Sequence, residues 1–285
     1  MYRQKLTIMP SEVGCTGEVK MRALLNRLQD AAGLAVEDME GSPSELMRRG
    51  YAWVLLRYEL KVEKRLPGMD ETVMLETRHT PGDGFYTLRV FRVFDEKKEA
   101  ETLVSARTSW VLIDLTASRP VRATQRLPEI FSDVADDPPI DGEFIAIPKI
   151  SGPPEASSSE ADPCDGNFST RSFLVRFHDL DANGHVNNAV YFEWAWEATP
   201  LDPLAWGIRE VHAEFRISVK LGDTVLVRVR EQFCERCECA GAASPEARCF
   251  VYDMAVAEDP KARAVARFLA VWTPLGFEMN QVNRA

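Results

Sequence analysis

Val19-Lys-Met21-Arg-Ala-Leu24-Leu25-Asn-Arg-Leu28-Gln-Asp-Ala31-Ala32-Gly-Leu-Ala35 places its apolar residues three and four apart. Such residues share one face of a helix, so the stretch predicts a long amphipathic helix over 19–35. Upstream, Leu6–Ile8 reads as the start of a short strand and Gly14–Gly17 as a turn. Downstream, Gly41–Gly50 is a second helical or loop segment. Four strand-like runs follow: Ala52–Glu63, Thr72–His79, Tyr86–Asp95 and Leu103–Leu115. Pro67-Gly68, and then Pro81 with Gly82 and Gly84, mark turns between them. One long helix followed by several antiparallel strands describes an α+β unit whose sheet wraps the helix.

The same order returns further along. Phe173–Phe177 reads as a strand, and a helix is expected from about Val186 to Thr199, stopped by Pro200. Strands resume at Val211–Ile217, Thr224–Phe233, Cys249–Val256 and Ala264–Trp272. Gly17 and Gly184 lie 167 positions apart, as do Val19 and Val186 (186 − 19 = 167). Each half has a turn Asp before a Val-led strand (Asp70, Asp223) and a Trp in its last strand region (Trp110, Trp272). A duplicated unit accounts for this economically, with chance similarity of two glycine motifs as the alternative. Between the halves, Asp136–Gly166 is rich in Pro, Ser, Asp and Glu and reads as a linker. The expected organisation is an N-terminal unit over 1–135, a linker over 136–167 and a C-terminal unit over 168–285.

A chain of 285 residues is comfortable for two such units. Its net charge of −10 argues against general binding to nucleic acid or an anionic membrane. No run of about 18 apolar residues exists, so no membrane span is expected. Met1–Met9 lacks the apolar stretch of a signal peptide, which makes the cytoplasm the expected location. No phosphate-binding glycine loop occurs, so no cofactor is expected. Cys234, Cys237, Cys239 and Cys249 form a loose zinc-like spacing without a second C-x2-C or a nearby His. Reduced strand or hairpin cysteines are the favoured reading, and no metal is expected. A homodimer is compatible with the sequence.

The chemistry concentrates in Arg176-Phe-His178-Asp179-Leu-Asp181-Ala-Asn183-Gly184-His185-Val-Asn187-Asn188-Ala-Val-Tyr191. Carboxylates, amides, imidazoles and a phenol crowd a strand-to-helix connection. Such loops place side chains at a site, and a helix start adds free amides and partial positive charge. The plain alternative is capping, with Asn183 or Asn187 as the N-cap. A cap uses one such residue, whereas this loop carries six.

Asp-x-Asp-x-Asn-Gly-His-Val-Asn-Asn-x-x-Tyr, continued by Phe192-Glu-Trp194-Ala-Trp-Glu197-Ala-Thr-Pro200, resembles the signature of the acyl-acyl carrier protein thioesterases of plants and bacteria. Met21–Ala31, Tyr51–Arg57 and Thr108–Asp114 resemble that family's first helix and two of its strands. The resemblance implies two tandem hot-dog domains and hydrolysis of fatty acyl-acyl carrier protein. It implies Asp181, Asn183 and His185 as the catalytic set. Asp181 would be the base or a direct nucleophile, with Asn183 and His185 polarising the carbonyl or orienting water. Asp179, Asn187, Glu197 and Ser218 are candidate supporting residues. Glu197 has a solvated or capping role as its alternative. The family usually carries a Glu followed, in plant members, by a Cys before the next strand's Gly-Asp. Ser218 and Val219 occupy those places here, so Asp181 would act alone, or Asp179 or Glu214 would substitute, or activity would be low.

The 167-residue offset sets Gly14 against Asp181 and Glu18 against His185, so the N-terminal unit lacks the catalytic set. It is expected to be inactive and to supply the acyl pocket through Met21, Leu25 and Trp53, which also read as core residues. Tyr191, Phe192, Trp194 and Trp196 read as core, His178 as solvent-facing, and His79 and His212 as isolated structural histidines. Acyl carrier proteins are acidic, so docking on this acidic chain needs a local basic cluster. Arg119, Arg122, Arg126, Arg171 and Arg176 are the expected candidates. The alternatives are an acyl-coenzyme A thioesterase, a weakly active acyl-binding module on the same fold, and a hot-dog dehydratase, which needs a different His and carboxylate placement.

Overall fold

The computed structural model describes residues 1–37, 41–82, 84–98, 101–131, 143–150, 168–232, 246–259, 261 and 263–275. The first half runs β1 (Tyr2–Thr7), α1 (Met21–Leu34), α2 (Pro43–Arg48), β2 (Tyr51–Val62), β3 (Thr72–Pro81), β4 (Tyr86–Asp95), β5 (Thr102–Asp114), β6 (Arg119–Val121), α3 (Ala123–Arg126) and α4 (Pro128–Phe131). The second runs β7 (Phe168–Leu174), α5 (Asn188–Ala198), β8 (Trp206–Phe215), β9 (Thr224–Gln232), β10 (Arg248–Val256) and β11 (Ala264–Pro274).

The predicted helices and strands are present, with shifted ends. The strand expected at Leu6–Ile8 extends back to Tyr2, because it is an edge strand whose polar residues pair with β3 and hide its alternation. The strand expected at Phe173–Phe177 likewise begins at Phe168 and ends at Leu174, followed by a single 3-10 turn over Phe177–Asp179. The second helix starts at Asn188, two residues later than expected, because Asn187 caps it.

All strands pair antiparallel in the order β1-β3-β4-β5-β2-β8-β11-β10-β9-β7, with β6 on β5. The seam between the halves is β2–β8, where Arg57–Lys61 runs against Glu214–Glu210. Beneath the sheet, α1 buries Met21, Leu24, Leu25, Leu28 and Ala31, which is the face read from the sequence. Helix α5 is apolar on nearly every side and correspondingly buried. The two helices share one core with the sheet. Tyr58 of β2 meets Phe192 of α5 edge-on at 5.6 Å, and Phe192 meets Phe268 of β11 at 4.7 Å. The aromatic residues of α5 are therefore core, as expected. No helix among the described residues is long and apolar enough to cross a membrane.

The offset of 167 residues reappears in three dimensions. The 3-10 turns Pro10–Glu12 and Phe177–Asp179 correspond, as do the bridges Val13–Val19 and Leu180–Val186 and the helix starts Met21 and Asn188.

Three expectations change. The stretch read as linker contains Glu143–Ile150, where Ile145, Ile147 and Ile150 pack on Cys249, Val251, Leu269 and Val271 of the outer sheet face. Its apolar residues are too sparse to signal burial by period, and only the sheet supplies their partners. Trp53 does not join Met21 and Leu25. It packs on a separate cluster that includes Leu46, Leu112, Leu127 and Phe131. His212 is not isolated: its Nδ1 lies 3.1 Å from Glu59 Oε1 and its Nε2 2.5 Å from Glu210 Oε1. His79 is buried, with Nε2 2.8 Å from the Ile130 carbonyl. Cys234, Cys237 and Cys239 lie outside the described residues, while Cys249 is buried in β10.

His212 ties the seam together. Arg107 donates to Glu59 at 2.5 Å and to the Glu143 carbonyl at 2.9 Å, so the same cluster holds the 143–150 segment. Burial opposes charge on His212, but its bonds to Glu210 and Glu59 outweigh that and raise its pKa above 6.5. Burial likewise opposes charge on Glu59, but His212 and Arg107 outweigh it and hold Glu59 below 4.5. A raised imidazole stabilises the fold below its unfolded value and loses that contribution as pH rises through its folded value. A depressed carboxyl does the reverse as pH falls. The cluster therefore contributes fully between pH 4.5 and 6.5. Urea unfolding of the wild type and His212→Gln across pH should show the largest difference in that window, shrinking above it. A difference that grows towards pH 9 would contradict the assignment.

Candidate active site

Asp181 sits in a tight loop between the 3-10 turn and α5. Its Oδ1 accepts from the amides of Asn183 and His185 at 2.8 and 3.2 Å. Its own amide donates to the His185 carbonyl at 2.8 Å, and the Gly184 amide donates to its carbonyl at 3.0 Å. Asn183 Nδ2 lies 3.4 Å from Oδ2, the less engaged oxygen. Asp181 and His185 are half-buried and Asn183 is exposed. Among the described residues the His185 ring has no hydrogen-bond partner.

Asp179 plays a different part. It is fully buried, and both carboxylate oxygens accept from Arg176, at 2.9–3.1 Å. Burial opposes its charge, but Arg176, with Arg22 further off, holds its pKa below the usual value. Its carbonyl accepts from the Asn187 amide at 2.8 Å. Asp179 thus anchors the loop, and Asn187 is the helix cap, with Oδ1 accepting from Ala189 N at 2.8 Å. The expected supply of helix-start amides is smaller than the sequence suggests. Val186, Asn187, Ala189 and Val190 already donate within the protein. Only the Asn188 amide among these lacks an acceptor among the described residues.

The other expected residues are scattered. Glu197 and Ser218 are exposed. Glu214 lies on the outer sheet face with Arg216 at 2.9 Å, whereas its neighbour Phe215 faces α5 and meets Tyr191 at 5.5 Å. It is not placed to substitute for a missing site carboxylate. Val219 is buried and its carbonyl accepts from Val186 N at 3.0 Å, which brings the segment after β8 against the loop.

Two contributors were missed. The Asp223 carbonyl accepts from Val175 N at 2.9 Å, and burial, then the charges of Asp181 and Asp223, push the Tyr191 phenol well above its ordinary pKa. The sequence marked Asp223 only as a turn residue. From the other half, Arg22 of α1 reaches Glu193 at 2.8 Å and the His178 carbonyl at 3.1 Å. His178 itself is exposed, as expected. A cross-half partner leaves no trace in local spacing.

The N-terminal half repeats this loop without its chemistry. The Gly14 amide donates to the Glu18 carbonyl at 2.9 Å, and the Lys20 amide to Glu12 at 2.8 Å, matching the Asp181–His185 and Asn187–Asp179 bonds. Gly14 has no side chain where Asp181 has its carboxylate.

Residues 1–131 match the family profile described as the acyl-ACP thioesterase N-terminal domain, and residues 164–243 match that of the C-terminal domain. The chain belongs to the acyl-ACP thioesterase family. A palmitoyl-acyl carrier protein thioesterase of Cuphea hookeriana, chloroplastic by name, is 26% identical over 211 residues, 72% of this chain and 48% of the relative. The chain thus spans about half the length of the curated relatives it matches. A solved structure of the 12:0-ACP thioesterase from Umbellularia californica superposes with a TM-score of 0.71 at 20% identity, covering 96% of this chain and 94% of that one. An acyl-ACP thioesterase structure from Bacteroides thetaiotaomicron gives 0.70 at 20% identity, covering 95% and 97%. At such identity the likeness carries the fold, which is the tandem hot-dog arrangement.

Gly184 and its counterpart Gly17 adopt φ of +74° and +85°, in the left-handed region where a Cβ is strained. A Cβ would meet no neighbour at either, so the cost is backbone alone. Gly17→Ala and Gly184→Ala should each lower the unfolding free energy by about 1 kcal/mol in denaturant titrations. Unchanged midpoints would show that the turns relax freely.

Proposed function

We propose that the chain hydrolyses the thioester of fatty acyl-acyl carrier protein, releasing a free fatty acid. The carrying observation is Asp181, a half-buried carboxylate fixed by two backbone amides beside a helix start. Membership of the thioesterase family supports the same reading. In the proposed step a water oxygen bonds to the acyl carbon, the carbon–sulfur bond breaks, and the thiol leaves with a proton. Asp181 takes the water's proton or attacks the carbonyl itself. His185, whose ring has no hydrogen-bond partner among the described residues, and Asn183 polarise the carbonyl or orient the water. The Asn188 amide is a further donor for the developing oxyanion. Asp179 holds the loop in position.

The domain roles follow from the repeated loop. The C-terminal half catalyses, and the N-terminal half, which has Gly14 and Glu18 at the corresponding places, shapes the acyl site. Met21 and Leu25 of α1 lie in the core shared with α5, which supports their role; Trp53, in its own cluster, gives no such support. A cytoplasmic setting belongs to the same proposal. Plant relatives are chloroplastic by name, and cell fractionation decides between the two.

The test is thiol release from carrier-protein thioesters of graded chain length, with coenzyme A thioesters in parallel. Carrier-protein thioesters should be the better substrates; faster turnover of coenzyme A thioesters would favour the other enzyme reading. Asp181→Asn should cut turnover by about 10²–10⁴-fold in a folded protein. Near wild-type turnover would move the base elsewhere.

The acyl-site role has its own measurement. Leu25→Ala or Met21→Ala should shift the preferred chain length. An unchanged profile in both variants would remove α1 from the acyl site.

A further inference from the structure

The cations of this acidic chain are unevenly distributed. A cleft of about 460 Å³ on the C-terminal half is lined by Lys149, Arg216, Arg228, Lys261, Arg263 and Arg267, with Asp253 as the sole carboxylate among its described lining residues. At its floor, Arg267 and Arg228 share Asp253, at 2.7 and 3.6 Å. At its rim, Arg216 pairs with Glu214 and Arg263 with Asp259, each at 2.9 Å. Lys149 and Lys261 are exposed and have no carboxylate partner among the described residues. Counting the carboxylates that pair with these cations among the described residues, the cleft keeps an excess of positive charge while the whole chain carries −10.

Strand register places this cleft at the same end of the sheet as the Asp181 loop. Val256 pairs with Val225 and Ala266 with Phe215, so β8 and β10 finish where β9 and β11 begin. The loop is tied to that end by Val175 N to the Asp223 carbonyl at 2.9 Å and by Val186 N to the Val219 carbonyl. The segments at that end carry exposed apolar residues, termed here the apolar strip. Phe177 is 71% exposed, Leu174 62%, Leu221 55%, and Ile217, which lines the cleft, 37%. Apolar residues rimmed by one sign of charge suit a protein surface better than a lone small anion.

We propose that the strip and the cleft together form the docking surface for the acidic carrier protein. This rests on the proposed function, because the partner must present its thioester at the Asp181 loop while held beside it. Four separate segments supply the cations of the cleft, and its described lining includes none of the arginines expected from the sequence. Long-range attraction between such surfaces raises the encounter rate and falls with salt.

The test measures binding apart from catalysis. A purified acidic carrier protein bearing its free thiol arm is titrated against the wild type, Lys149→Glu/Lys261→Glu and Arg122→Glu, at low and high salt. Both lysines are exposed and lie outside the catalytic loop. The double reversal should weaken binding about tenfold or more at low salt, and high salt should narrow the difference. Arg122→Glu should bind like the wild type. Hydrolysis of a protein-free pantetheine thioester should be equal in all three. Failure of that hydrolysis in the wild type would sink the proposed function while the titration still decides the docking surface. Equal binding by the double reversal, loss of binding in Arg122→Glu instead, or no carrier-protein binding by the wild type would each overturn the inference. Reversal-sensitive binding of coenzyme A without carrier-protein binding would make the cleft a small phosphate site and overturn it as well.

Discussion

The pairing of β2 with β8, from Arg57–Glu214 to Lys61–Glu210, makes two half-sheets into one. Each half-sheet covers a helix, and the joint sheet forces the two helices against each other in one core. Antiparallel ladders satisfy backbone groups across the seam, so the seam needs no special side-chain glue beneath it and can be filled with aromatic packing. On the outer side the seam carries charge instead. Glu59, His212, Glu210 and Arg107 are paired among themselves, and Ile145 N donates to Glu59 at 3.3 Å. The strap over 143–150 is therefore fastened to the joint between the halves as well as to the sheet face of the second half.

The two halves show how little backbone must change for a site to appear. Both have the short strand, the 3-10 turn, the glycine in the left-handed region and the helix that starts four residues beyond it. The hydrogen bonds of the turn are reproduced pair for pair. What differs is the side chain hung on the turn: none at Gly14, a carboxylate at Asp181. The carboxylate is a local addition to a repeated scaffold. The scaffold also crosses over: Arg22, from the half without the carboxylate, braces the loop of the half that has it.

Net charge says little about a surface such as this one. Across the outer face the register aligns Arg57, Glu214, Arg267, Asp253 and Arg228 on successive strands. Opposite charges facing each other across strands are mildly stabilising and keep a flat polar face ordered. Near that row, Lys149 and Lys261, which have no carboxylate partner among the described residues, line the cleft from other segments. The local sign of the field then opposes that of the chain.

Much of this was written in local pattern. The 3.6-residue period of α1, the turns at Pro67-Gly68 and Gly222-Asp223, and the strand runs are short-range properties. They place most of the described elements to within a few residues, except at β1, β7 and β8, which begin earlier than read, and at the short β6, α3 and α4, which were not read. The Asp181 loop was legible too, because capping needs one polar residue and this loop has six. The 167-residue offset even indicated which half lacks the carboxylate. Tertiary structure decided what depends on contacts between distant segments. It separated Trp53 from Met21 and Leu25, bound His212 to Glu59 across 153 residues, and turned part of an expected linker into a strap. It made Asp179 an anchor, tied the Asp223 turn to Val175, and gathered the basic cleft from four segments. Spacing along a chain reports which residues share an element, but only packing brings elements together.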